Sequence, residues 1–164
     1  MIFVTIGTQD KPFTRLLEAI DKAIERKEIT DKVIVQCGFT KYTSDHMEIL
    51  EYIPFDKFGE YIDKADVIIT HGGVGSIISA VKKKKKVVAV ARLAKYGEHT
   101  NDHQLQIVEK MSKDGYIIDG NDLDNIVQAI SDAKKLQVKE YISNTTKFIE
   151  GLKKEINKLF DDQN

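Results

Sequence analysis

The stretch "ADVIITHGGVGSIISAV", residues 65–81, reads as a buried strand that runs through three glycines straight into a helix. Residues 67–70 form a near-continuous Val, Ile and Thr run, the pattern of a strand covered on both faces. Similar runs recur at residues 2–6, 33–37, 50–53, 87–91 and 116–118. Between them apolar residues fall three and four apart, as Phe13, Leu16, Leu17, Ile20 and Ile24 do, and again Leu105, Val108 and Met111. That spacing puts each set on one side of a helix. Strand, helix, strand in alternation predicts an α/β fold, a Rossmann-like doubly wound parallel sheet of about six strands. Residues 38–47 lack a period and are expected to form a loop with at most a turn of helix.

In an open parallel sheet the ligand crevice lies at the carboxyl ends of the strands, which is where His71, Gly72 and Gly73 fall. Glycines admit a ligand close to the backbone, and a helix starting near Ser76 offers unpaired N–H groups and the positive end of its dipole. Val74 and Gly75 lie between, so residues 71–76 form a candidate phosphate or pyrophosphate cradle. The plainer reading is that the glycines only make a tight strand-to-helix turn. Two common nucleotide motifs are absent: "GTQDKPF" after the first strand lacks G-x-G-x-x-G, and "HGGVGSI" lacks the spacing and lysine of a P-loop.

After the fifth strand, "ARLAKYGEHTNDHQLQI" (residues 91–107) is dense in side chains that hydrogen-bond hydroxyls. Asn101, Asp102, His103 and Gln104 at a helix start suit a sugar. The plainer reading is an N-cap, from Thr100 or Asn101, among solvated polar residues. His99 and His103, four apart and beside Glu98, could share a helix face as zinc ligands do, but no third well-spaced ligand follows. Neither a metal nor another cofactor is expected.

A chain of 164 residues with 41% hydrophobic residues is long enough for one domain with its own core. Lys and Arg total 25 against 26 Asp and Glu, and this net charge of −1 offers no overall field for nucleic acid. A single cysteine, Cys37, excludes an internal disulfide and suits a reducing cytosol. No signal peptide or membrane-length apolar run is evident, so a soluble cytoplasmic chain is expected. The five lysines at 82–86 read as a solvated helix end in preference to a lipid-binding patch, because that end faces away from the ligand edge of the sheet. Residues 137–160 carry an apolar stripe and are expected to form a long C-terminal helix, packed on the sheet or docking a partner.

Together "MIFVTIGTQDKPFTRLL", "ADVIITHGGVGSI" and "RLAKYGEHTNDHQ" resemble the C-terminal, donor-binding half of the family 28 glycosyltransferases, over about residues 1–130. The similarity extends to the small subunit of split enzymes of bacterial exopolysaccharide or capsule synthesis, and to the catalytic subunit of the eukaryotic two-piece N-acetylglucosaminyltransferase. The resemblance implies one half of a GT-B fold and a UDP-sugar donor held as substrate without a required metal. It also implies a lipid-linked sugar acceptor, presented by a separate membrane-associated subunit that supplies the acceptor site and the general base. The chain would then be peripheral at the inner membrane face through that partner. By the same resemblance, Gly7 and Thr8 lie at the interdomain cleft near the phosphates, and backbone near Ile53 contacts uracil. His71, Gly72, Gly73, Val74, Gly75 and Ser76 hold the pyrophosphate, while Asp102, His103 and Gln104 reach the hexose. The sequence departs from the family at Ser79, where a ribose-binding Glu is usual, and at Ala91, where Pro is common. Ser79 leaves a second reading open, a non-catalytic interaction subunit that has lost donor binding.

Overall fold

The fold is taken from a computed structural model, which describes residues 1–141. Six strands form one sheet: β1 (Ile2–Thr5), β2 (Val33–Gln36), β3 (Glu48–Leu50), β4 (Val67–His71), β5 (Lys86–Val90) and β6 (Ile118–Asp119). Their order is β3-β2-β1-β4-β5-β6, with every neighbouring pair parallel. Helices α1 (Thr14–Glu25), α2 (Phe55–Lys64), α3 (Val74–Lys82) and α4 (His103–Lys113) make four of the crossovers, a loop joins β2 to β3, and α5 (Ile126–Lys135) follows β6.

The strand alternation divides the core in two. Ile2, Val4, Val33, Val35, Val67, Ile69, Val88 and Val90 face α1 and α5, where they meet Leu16, Leu17, Ile20, Ile126 and Ile130. Phe3, Ile34, Ile68, Val87 and Ala89 face α2, α3 and α4, and meet Ile62, Ile77, Val81 and Val108. Phe3 stacks on Tyr61 with ring centroids 5.5 Å apart and meets the edge of Phe58 at 5.6 Å. Because both faces are covered, the strands carry Val and Ile at consecutive positions, which is why they are legible as continuous apolar runs.

Two strands differ from the sequence expectation. The run at 50–53 is strand only to Leu50, since Pro54 opens α2 and Ile53 is buried from the connecting turn. The run at 116–118 contributes only Ile118, because Ile117 enters the core from the approach to β6. Residues 38–47 form a loop without helix, and side chains order it. Tyr42, Ser44 and His46 all donate to the Asp21 carboxylate on α1, at 3.0, 2.8 and 2.9 Å. Burial works against ionisation of Asp21, but those hydrogen bonds outweigh it and hold the pKa below the ordinary value.

The expected C-terminal helix does not start at Gln137: residues 137–141 have no regular structure, and the remainder of that segment lies outside the described residues. Of the lysine run, Lys83 pairs with Asp63 at 2.8 Å and Lys85 donates to the carbonyls of Asp63 and Ala65, while Lys86 reaches the carbonyl of Lys134. These lysines fasten the end of α3 and the start of β5 to neighbouring helix ends, on the edge opposite the glycine loop.

Candidate functional site

The strand order reverses direction between β1 and β4, and in such sheets the crevice opens outside the carboxyl ends at that point. A cleft of about 400 Å³ lies there, lined by Thr5, Gly7, Thr8, Gln36, Tyr52, Ile53, Phe58, His71 and Ser76. Five of these, Gly7, Thr8, Ile53, His71 and Ser76, are positions the sequence singled out. Thr5 and Gln36 were missed because they look like ordinary strand residues; their side chains hydrogen-bond each other at 2.8 Å. Tyr52 was missed because it falls within a run read as a strand, and Phe58 because it belongs to no motif.

His71 is the hinge of this arrangement. Gly7 has φ +78°, and a Cβ there would come within 2.8 Å of the His71 ring. A Cβ on Gly73 would strike His71 Nε2, so the imidazole is seated between two glycines that must stay bare. Burial, then the charge of Arg92, pushes the His71 pKa down to about 4, with His99 adding a smaller push and the Thr5 backbone opposing them. His71 is therefore neutral at pH 7, a hydrogen-bonding group and not a cation.

Helix α3 begins at Val74 with Gly73 as its N-cap, and no side chain caps it. The N–H groups of Val74, Gly75 and Ser76 donate to nothing among the described residues, while Val74 and Gly75 are exposed. A nine-residue helix with a bare amino end carries partial positive charge beside the cleft. Gly75 would meet nothing within 4 Å if given a Cβ. Gly72 differs: it is buried, and a Cβ would come within 2.8 Å of Gln104 Cβ and 3.1 Å of Val108 Cγ2. Its bareness lets α4 pack against the end of β4, a role in the fold.

The segment after β5 is built as a brace. The Glu98 carboxylate, 3% exposed at the residue, takes two hydrogen bonds from Arg15 at 2.7 and 3.0 Å and one from the Leu93 N–H at 2.9 Å. Its oxygens are thereby committed. Nor do His99 and His103 share a helix face, because α4 starts only at His103. Among the described residues no group of three or more His, Cys, Asp or Glu gathers as metal ligands.

Asn101, and not Thr100, satisfies the first N–H of α4, accepting from His103 at 3.0 Å. The Asp102 carboxylate accepts from the Ala94 N–H at 2.8 Å, and Gln104 Oε1 accepts from the Arg92 N–H at 3.0 Å. Asn101, Asp102 and His103 are exposed, whereas Gln104 is buried and packs against Gly72. None of the four lines the cleft.

Residues 1–161 match the family described as Glycosyltransferase family 28 C-terminal domain. Among curated proteins, the chain is similar to the UDP-N-acetylglucosamine transferase subunit ALG13 of Homo sapiens, 26% identical over 125 residues. That match takes in 71% of this chain and 10% of the human protein. The protein of that name in Candida glabrata is 27% identical over 144 residues, 84% of this chain and 67% of the relative. This chain thus spans a small part of the human protein and about two thirds of the yeast one.

Among solved structures, the calicheamicin glycosyltransferase CalG4 matches with a TM-score of 0.59 at 18% identity, over 81% of this chain and 33% of that one. MurG of Acinetobacter baumannii matches with a TM-score of 0.59 at 16% identity, over 91% and 48%. Both likenesses concern the fold, and each neighbour is a longer chain of which this one matches half or less.

Proposed function

The chain belongs to the glycosyltransferase family 28 C-terminal domains, and from that premise we propose that it is the UDP-sugar-binding subunit of a bipartite hexosyltransferase. The carrying observation is the uncapped amino end of α3 beside a cleft floored by Gly7, Thr8 and His71. A diphosphate there would accept hydrogen bonds from the free N–H groups of residues 74–76. Tyr52, Ile53 and Phe58 offer the remaining, apolar part of the cleft to a base. Relatives named as UDP-N-acetylglucosamine transferase subunits support a UDP-sugar donor and a second chain.

An acceptor hydroxyl attacks the anomeric carbon as the bond from that carbon to the UDP oxygen breaks, with inversion. The hydroxyl proton passes to a base on the partner, and the amino end of α3 stabilises the charge gathering on the departing UDP. The acceptor is a lipid-linked sugar of polysaccharide synthesis, held by a membrane-associated partner at the cytoplasmic face. Four large apolar side chains are exposed among the described residues: Phe39 (64%), Tyr52 (74%), Val74 (47%) and Tyr96 (56%). All four follow the carboxyl ends of strands, on the side where such a partner would close the cleft.

Calorimetric titration of the full chain with UDP, beside a Gly73→Val variant, tests the reading. Binding by the parent that the variant loses is expected, since the valine displaces His71. Absence of binding at millimolar UDP by the chain alone and by the co-expressed pair would overturn it. A subunit without donor binding is the second reading, favoured by Ser79, which is exposed on α3 one turn beyond Ser76 and does not line the cleft. Tighter UDP binding by Ser79→Glu would speak against that alternative.

A further inference from the structure

Arg92 is 1% exposed, yet no carboxylate pairs with it among the described residues. From two residues beyond β5 its guanidinium reaches the segment between β1 and α1. Nη2 donates to the Ile6 carbonyl at 2.7 Å, and Nη1 donates to the Lys11 carbonyl at 2.7 Å and the Glu98 carbonyl at 3.4 Å. Phe13 lies against it, with its ring centroid 4.8 Å from Cζ. Ile6 and Lys11 bracket residues 7–10, so the fork grips both ends of the loop that carries Gly7 and Thr8.

Nε is buried and makes no hydrogen bond among the described residues. The nearby Glu98 carboxylate attracts Arg92 through space but is hydrogen-bonded to Arg15 and the Leu93 N–H, so among the described residues no counter-ion contacts the Arg92 guanidinium. Burying a cation in this way is costly, and an anion arriving nearby repays part of the cost. No cationic side chain lines the cleft: none of its lining residues is Lys or Arg, and His71 is neutral at pH 7.

We propose that Arg92 is the positioning residue of the diphosphate site, clamping the loop of residues 7–10 at both ends and setting behind it a positive charge that no described carboxylate contacts. The inference rests on reading the cleft as a UDP-sugar site. It differs from a packing role because both the clamp and the charge act on the phosphates and neither acts on the base.

The test uses the full-length chain with Arg92→Met, which keeps bulk without charge, and Arg92→Lys, which keeps charge without the fork. Each is checked for folding by thermal melting and titrated with UDP, uridine and inorganic diphosphate. His71 is titrated by NMR without ligand; Arg92, His99 and the Thr5 backbone are the groups that act on it. Arg92→Met is expected to lose about tenfold or more in UDP affinity, with uridine affinity changed less than about twofold. Its His71 pKa should rise, and Arg92→Lys should fall between it and the parent in both readouts. Equal losses for UDP and uridine, or an unmoved His71 titration, would reduce Arg92 to a scaffold residue. If Arg92→Met does not fold, Arg92→Lys decides, a loss confined to UDP and diphosphate supporting the clamp and parental affinity overturning it. A parent that binds diphosphate but neither UDP nor uridine would sink the UDP-sugar reading while the variants still decide the role of Arg92.

Discussion

Three glycines within four positions do three different things. Gly72 makes room for α4, Gly73 makes room for His71, and Gly75 faces open space at the start of α3. Gly72→Ala should therefore destabilise the fold by about 1–3 kcal/mol, as overpacking of a tight contact does. Gly75→Ala should leave stability unchanged or raise it by up to about 1 kcal/mol, because alanine is the better helix former and meets nothing. Denaturant unfolding of the two variants checks the contrast, and equal losses would show that the loop tolerates no side chain anywhere. His71 gives the site a pH signature. Its folded pKa of about 4 lies below the ordinary value of 6.5, so the unfolded chain takes up a proton first as the pH falls. Its contribution to stability is complete above pH 6.5, is lost progressively down to about pH 4, and changes no further below that. The stability difference between parent and His71→Gln, followed by urea unfolding across that window, should shrink as the pH falls; a difference independent of pH would mean that His71 is not held neutral.

Helix ends show what the residue pattern conveys and what it hides. Helices α1, α3 and α4 each close with the same pair of backbone hydrogen bonds: Glu28 to Ala23 with Lys27 to Ile24, Lys85 to Ala80 with Lys84 to Val81, and Tyr116 to Met111 with Gly115 to Ser112. The turn demands a left-handed residue, which is Gly115 (φ +78°) in α4 but Lys27 (φ 59°) in α1 and Lys84 (φ 56°) in α3. The glycine marks its stop in the sequence, whereas the lysines do not, since their strain is relieved by no local signal. Lys84→Gly should raise stability by about 1 kcal/mol by removing the left-handed penalty, and Lys27→Gly should do likewise. Equilibrium unfolding in urea should show a higher midpoint with an unchanged slope; no shift would mean that the glycine's gain is cancelled in the unfolded chain. The helices and strands themselves were legible from spacing because each has one or two covered faces. Their boundaries were less so wherever an apolar residue such as Ile53 or Ile117 enters the core from a turn.

For the whole molecule, the strand order puts the ends of β1 and β4 side by side, and the cleft follows from that adjacency more than from any motif. Hence the glycine loop was readable in the sequence, being contiguous. The Arg92 clamp was not, because it joins residues 6, 11, 92 and 98 through a long side chain to backbone carbonyls that have no sequence signal. The same edge gathers the exposed apolar side chains; Tyr52 lines the cleft and Val74 opens α3, whereas Phe39 does neither. An exposed Phe that supports neither the core nor the donor site should be dispensable for both, yet costly to lose if another chain covers it. Phe39→Asp is accordingly expected to keep the parental melting temperature and UDP affinity, while weakening capture of the co-expressed acceptor-binding subunit by about tenfold or more. Affinity purification of the tagged chain with that subunit, followed by transfer assays on the recovered pair, reads both arms. Undiminished capture would put the partner on another face; lost UDP binding by the isolated variant would instead make Phe39 part of the donor site.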